Sequence, residues 1–229
     1  VDAKKAQRQK IGRNTESFDP KSTLVRPSMR IIVGNNGSVF NKLPLKHDDV
    51  VIVPNFFGEE DDWSLYYKLI QEMADAQEHS DKDTSNKNSD WISWHEGSHL
   101  ISKNPKPSKT YQEIQDKIAQ YFCIEQKSVG TRFNWYRDSR DWKPFHHDSA
   151  AFNPQRARNQ NITVGVSFGS SRELAFLHAT TGERIYFPQT NNMLFSFGRD
   201  VNINYKHGIN AIEEGSSQDN DRGRVSIIL

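Results

Sequence analysis

From residue 130 onward the apolar residues of this chain fall on every second position. Ile162, Val164, Val166 and Phe168 alternate through NITVGVSFG, Met193, Phe195 and Phe197 through NMLFSFG, and Val201, Ile203 and Tyr205 through DVNINYKHG; GRVSIIL (223–229) ends the sequence. A period of two is the pattern of strands with one buried face, so four short strands are expected here, separated by turn-rich segments. Before residue 130 the pattern differs. MRIIVG (29–34) and DDVVIVPNFF (48–57) read as short strands. Trp63, Tyr66, Tyr67, Ile70 and Met73 or Ala74 within 58–79, and Tyr111, Ile114, Ile118 and Phe122 within 109–122, fall at helical spacing. Acidic residues at the start of the first helix suit its dipole. Helices first and strands after predict an α+β domain whose second half is a β-sandwich or barrel such as a jelly roll.

Charge divides the chain unevenly. Residues 1–30 carry eight Lys/Arg against three Asp/Glu, a net +5, so the remainder carries −4 of the chain's +1. The expected organisation is a basic, flexible arm over 1–28 and one domain over 29–229, with strands, helices and covering loops over 29–130 and the β-rich core over 131–229. No run of 18 apolar residues occurs, so no membrane helix is expected. One cysteine, Cys123, excludes an internal disulfide and, with no apolar leader segment, suggests the nucleus or cytoplasm.

The chemistry concentrates in NWYRDSRDWKPFHHDSAAF (134–152). In a strand or at its end, residues i and i+2 face the same way, so His146 and Asp148 project together while His147 turns aside. An imidazole and a carboxylate on one face are two corners of a metal site. His207 shares strand parity with Tyr205 and is the best third corner. Two histidines and one carboxylate form the facial triad that leaves positions open on ferrous iron. Arg224 and Ser226 share one face of the terminal strand, opposite Val225 and Ile227. A guanidinium inside a barrel requires an anion, and a carboxylate is its natural partner. Asn134 and Tyr136 share a face of the preceding strand and offer an amide and a phenol suited to orienting a dicarboxylate.

Asn-x-Tyr (134–136), His-x-Asp (146–148), VSFGSSRELAF (166–176), KHGI (206–209) and Arg-x-Ser (224–226), in this order and spacing, resemble the AlkB-like family of Fe(II)/2-oxoglutarate dioxygenases. The resemblance covers roughly residues 50–229 and is best from 131 onward. It implies a double-stranded β-helix, a jelly-roll variant, buttressed by N-terminal helices. By the same resemblance His146, Asp148 and His207 are the catalytic iron ligands, and Asn134, Tyr136, Arg224 and Ser226 hold 2-oxoglutarate. The cofactors it implies are Fe(II), 2-oxoglutarate as co-substrate, and O2, for hydroxylation or demethylation of a methylated nucleic acid. Two departures stand out. Ser226 and Ile228 occupy the places of the family's Asn and Thr, and the sequence ends at Leu229, before the family's second arginine; Arg222 and Arg199 are then the candidates to steady the iron-side carboxylate. Ala150 stands where the repair enzymes carry an acid beside the methylated base.

Substrate contacts are expected from Trp94, His95, Trp142 and His147, with Trp91 and His99 as further candidates at the mouth. The paired charges of RDSRDW (137–142) are expected to satisfy one another. Two other readings stay open: a protein or small-molecule hydroxylase of the same chemistry, and a catalytically silent jelly roll that binds a partner.

Overall fold

A computed structural model describes residues 27–40, 44–81, 91–93, 99–102, 105–125, 130–213 and 222–229, with 77–81 and 91–93 described by their backbone alone. The basic arm, apart from its last residues, therefore lies outside the described residues. The strands are β1 (Arg30–Val33), β2 (Asp49–Val53), β3 (Trp91–Ser93), β4 (Leu100–Ser102), β5 (Arg132–Tyr136), β6 (Lys143–His146), β7 (Ile162–Gly169), β8 (Arg172–His178), β9 (Arg184–Gln189), β10 (Met193–Gly198), β11 (Tyr205–Ile209) and β12 (Arg224–Ile228). The helices are α1 (Ser64–Asp81), α2 (Lys109–Phe122), α3 (Pro154–Asn159) and α4 (Arg199–Asn204), and a 3-10 turn spans Ser149–Ala151.

Eight strands form a major sheet in the order β1-β2-β10-β7-β12-β5-β4-β3, and four form a minor sheet in the order β6-β11-β8-β9. The major sheet is the middle of three layers. Val164, Val166 and Phe168 of β7 turn one way, with Leu194, Val225 and Ile227, and pack on Leu69 and Met73 of α1 and Ile114 and Ile118 of α2. Met193, Phe195 and Phe197 of β10 turn the other way and meet Phe176, Phe187 and Tyr205 of the minor sheet. Each such wholly buried side chain contributes about 1.5–3 kcal/mol relative to exposure. The result is a mixed α/β, sheet-rich architecture in which two sheets face each other in a jelly-roll-like manner.

The helices rest on identifiable caps. Ser108 caps α2 by accepting from the Tyr111 amide, and the Glu72 carboxylate on α1 accepts from the Ser108 hydroxyl (2.6 Å), the Thr110 hydroxyl (2.7 Å) and the Thr110 amide (2.9 Å). An anion at a helix N-terminus is favoured by the dipole, and here it also fastens one helix to the other. The acidic residues before α1 are not its first turn. The Asn191 and Asn192 side chains donate to the carbonyls of Glu59, Glu60 and Asp62, and the helix begins only at Ser64, whose amide donates to Asp62. A second correction concerns DVNINYKHG: Val201 and Ile203 lie in α4, not in a strand, and β11 begins at Tyr205. The Arg199 and Asp200 amides donate to the carbonyls of Asn161 and His47. These tertiary partners satisfy a helix start that the alternation of Val201 and Ile203 does not announce.

Candidate metal centre

β6 and β11 run antiparallel with His146 opposite His207, so the two imidazoles lie side by side on the wall facing the major sheet, ring centres 4.3 Å apart. Gly208 allows this approach: a Cβ there would meet the Lys143 carbonyl oxygen at 2.7 Å and the Pro144 carbonyl at 3.0 Å. Asp148 follows His146 by two residues, still extended (φ −66°, ψ 146°), before the 3-10 turn. Its Oδ1 stands 3.7 Å from His146 Nε2 and 3.6 Å from His207 Nε2. One donor atom from each of the three lies within 4.8 Å of the others.

The neighbours of these groups fix which atoms converge. His146 Nδ1 is 2.9 Å from the Pro144 carbonyl oxygen, which sets the tautomer that donates there and turns Nε2 with its lone pair toward Asp148. The Asp148 amide donates to Asn202 Oδ1 (2.8 Å), while Asn202 Nδ2 donates back to the Asp148 carbonyl (3.2 Å). Thr163 on β7 donates its hydroxyl to Asp148 Oδ2 at 3.2 Å, which leaves Oδ1 aimed at the histidines. Burial pushes the His207 imidazole down to about 3 and the His146 imidazole to about 4, so both offer lone pairs at neutral pH. Burial raises the Asp148 carboxyl, yet the fields of His207, Lys143 and His146 and the Thr163 hydroxyl together hold it below the ordinary aspartate range. Two neutral imidazoles and a carboxylate on one wall fit a divalent first-row cation with further positions left open.

Strand order gathers a second group of residues on the major sheet. β12 pairs with β7 and β5 so that Ser226 lies opposite both Ser167 and Asn134, and Arg224 opposite Tyr136. Arg224 donates through Nε (3.2 Å) and Nη2 (2.6 Å) to the Ser167 hydroxyl, and its guanidinium lies 5.1 Å from the centre of the Tyr136 ring. Asn134 donates to the Ser226 carbonyl at 3.3 Å, and its Oδ1 is 3.2 Å from His99 Nε2. Asn134, Tyr136, Arg224 and Ser226 are all buried.

The substrate candidates fare differently. Trp94 and His95 lie outside the described residues. His99 is not at a mouth: it is wholly buried, stacks on Tyr136 (ring centres 4.9 Å, 16° between planes), and is pushed by burial and by Lys143 down to about 4. It supports Asn134 from beneath. Trp142 offers its carbonyl to His99 and does not line the groove over the metal ligands, whereas His147 does. The His147 ring sits 5.0 Å from that of Phe152, and its Nδ1 is 2.6 Å from the Asn202 carbonyl oxygen. Arg137 pairs with Asp141 and Arg140 with Asp138, as RDSRDW suggested.

Four polar residues take part without any signal in the sequence: Lys143 lines the groove, Thr163 and Asn202 hold Asp148, and Ser167 holds Arg224. Burial pushes the Lys143 ammonium down to about 8, against the pull of Asp148. A groove of about 1310 Å³ opens over His146 and Asp148, lined by Lys46, Arg132, Lys143 and Arg156 among others.

No family model matches this chain, and no curated protein matches it. Among solved structures, a prolyl-4-hydroxylase from Pseudomonas putida is similar over 78% of this chain and 89% of that one, at 12% identity and a TM-score of 0.41.

Proposed function

We propose that the protein is an Fe(II)- and 2-oxoglutarate-dependent oxygenase of the double-stranded β-helix class, related in chemistry to the AlkB-like enzymes it resembles. The observation that carries this reading is the convergence of one donor atom each from His146, Asp148 and His207 within 4.8 Å of one another. Iron, when bound, supplies O2 activation coupled to oxidative decarboxylation of 2-oxoglutarate to succinate and CO2. His146, Asp148 and His207 hold the cation on one face and leave the remaining positions to small molecules. Asn202, Thr163 and the Pro144 carbonyl keep those three ligands oriented. Arg224, braced on Ser167 and Tyr136, receives the distal carboxylate of the co-substrate, and Asn134 lines its course. Phe176 and Phe197, ring centres 5.9 and 5.0 Å from His207, keep water from that side of the site.

Within that chemistry the favoured substrate is a methylated nucleic acid, hydroxylated at an N-methyl carbon so that the hemiaminal collapses and releases formaldehyde. Support comes from the cations Lys46, Arg132 and Arg156 along the groove and from the Phe152 ring, 74% exposed beside His147, as a stacking surface. A protein or small-molecule hydroxylase is favoured instead by Ala150, apolar and buried where the repair enzymes carry an acid. The test is aerobic incubation with Fe(II) and 2-oxoglutarate, following succinate without substrate and formaldehyde with methylated oligonucleotides. Succinate formation that disappears in His146→Ala and Asp148→Ala is the expected result. No succinate from the wild type under any condition reduces the protein to a binding module, and succinate without formaldehyde redirects the search to peptides and small molecules.

A further inference from the structure

The major sheet ends at β1, which pairs with β2 on one side and, among the described residues, with no strand on the other. Its register fixes which groups face outward. The parallel pairing sets Ile31 opposite Val50 and Ile32 opposite Val51, and the Arg30 and Gly34 amides donate to the carbonyls of Asp48 and Ile52. Bonding residues alternate along such a ladder. Arg30, Ile32 and Gly34 therefore face β2, and the amides and carbonyls of Ile31 and Val33 point away from the sheet. The same two residues carry exposed apolar side chains, 46% and 62% exposed, on one face of the strand. Edge strands commonly carry a proline, a charge or an irregularity that discourages further pairing. Both edges of the minor sheet do: β9 has Pro188 and an exposed Arg184, and β6 has Pro144 and a register shift against β11. β1 has none of these. Its one charge, Arg30, is held by Asp49 through two bonds of 2.6 and 2.7 Å, so the edge it offers is apolar and neutralised.

We propose that β1 is a contact between two copies of this chain, paired antiparallel about a two-fold axis at Ile32. In that register Ile31 of each copy lies opposite Val33 of the other. These are the residues whose main-chain groups point outward, so each pair exchanges both of its hydrogen bonds. Side chains directly opposite share a face. Ile31 and Val33 of both copies therefore gather into one branched apolar cluster, and the Ile32 side chains, which pack on the helical side of the sheet, meet on the other face. A shift of two residues would set Ile31 opposite itself and carry Val33 past the start of the other copy's strand. Charge favours a second copy as the occupant. The register sets Arg30 opposite Gly34, and each guanidinium is already neutralised by its own Asp49. No like charges meet, and a partner chosen by charge would find nothing on this edge to recognise. The contact is short against a standard interface, so the dimer is reversible and depends on concentration. It is isologous, so every substitution in it acts twice.

The test is sedimentation equilibrium of the full chain over a range of concentrations, with the wild type, Ile31→Lys and Val33→Glu. Both positions are exposed, and near-ultraviolet circular dichroism checks that each variant keeps the fold. The wild type is expected to dimerise. Each variant alone is expected to associate roughly 10-fold or more weakly, because a charge enters the apolar cluster from both copies. An equimolar mixture of the two variants is expected to recover association, since the ammonium introduced in one copy then lies opposite the carboxylate introduced in the other. Should either charge disturb the fold, Val33→Pro, which removes one outward amide, is the replacement and is expected to dissociate the dimer. A wild type that stays monomeric overturns the proposal, whether the edge is free or covered by another part of the chain. A dimer that the folded variants leave intact overturns it by placing the contact elsewhere. Variants that dissociate and do not recover on mixing refute the antiparallel register and the proposed contact with it.

Discussion

Replacing Asn202 by alanine tests how the metal centre is held. Asn202 sits in α4, is 3% exposed, and its amide closes a two-bond clasp on the backbone of Asp148, at 2.8 and 3.2 Å. Each bond contributes about 1 kcal/mol net, so the variant is expected to lose about 1–3 kcal/mol of unfolding free energy. The effect on metal is separate. Asp148 would still follow His146 in the chain, but only the Thr163 hydroxyl would then fix its carboxylate. Loss of such a supporting contact typically weakens metal affinity about 10–100-fold. Competition of Fe(II) or Mn(II) against a fluorescent chelator gives the affinity, and urea unfolding of the metal-free protein gives the stability. A variant that is destabilised as expected yet binds metal as tightly as the wild type would show that the clasp serves the fold alone, and the account of how Asp148 is aimed would be wrong.

Other perturbations follow the same logic. Gly208→Ala sets a methyl against backbone atoms of Lys143 and Pro144; it should cost about 1–3 kcal/mol and lower metal affinity by parting β11 from β6, and retained affinity in chelator competition would refute that link. Arg224→Ala is expected to keep metal binding and to lose 2-oxoglutarate affinity, read by calorimetry, because a buried carboxylate would face no guanidinium. Burial raises the Glu72 carboxyl, but the Ser108 and Thr110 bonds outweigh it and leave the group below its ordinary value. Its stabilisation is therefore present above the unfolded-state value near about pH 4.3 and is lost as pH falls through the lower folded value. Glu72→Gln should be less stable than wild type at pH 7 by about 1–2 kcal/mol, with the gap closing in acid; a gap that persists unchanged down to pH 3 would contradict the assignment.

How far the sequence disclosed all this depended on the kind of residue. Apolar alternation marked β7 and β10 correctly but said nothing of direction: the β7 set faces the helices and the β10 set faces the minor sheet. The stripe Tyr111, Ile114 and Ile118 located α2, because burial on one helical face leaves a periodic trace. The six residues of α4 left none. Two apolar residues two apart fit a strand as well as a short helix, and tertiary bonds to Asn161 and His47 decided the outcome. In the site, His146, Asp148 and His207 were legible because imidazole and carboxylate at this spacing are chemically distinctive. Thr163, Ser167 and Asn202 were not, since a hydroxyl or amide on a strand or turn is ordinary until the chain crossing over it is known. Lys143 was hidden by parity, which a register shift undid.

The central claim is that His146, Asp148 and His207 bind one cation that 2-oxoglutarate then joins. Anaerobic titration of the metal-free protein with Fe(II), followed by 2-oxoglutarate, measures it directly. The account predicts saturable Fe(II) binding, a weak visible charge-transfer band on adding 2-oxoglutarate, and loss of both in folded Asp148→Ala. A wild type that binds Fe(II) no better than Asp148→Ala, or one that binds it and shows no response to 2-oxoglutarate, would contradict it.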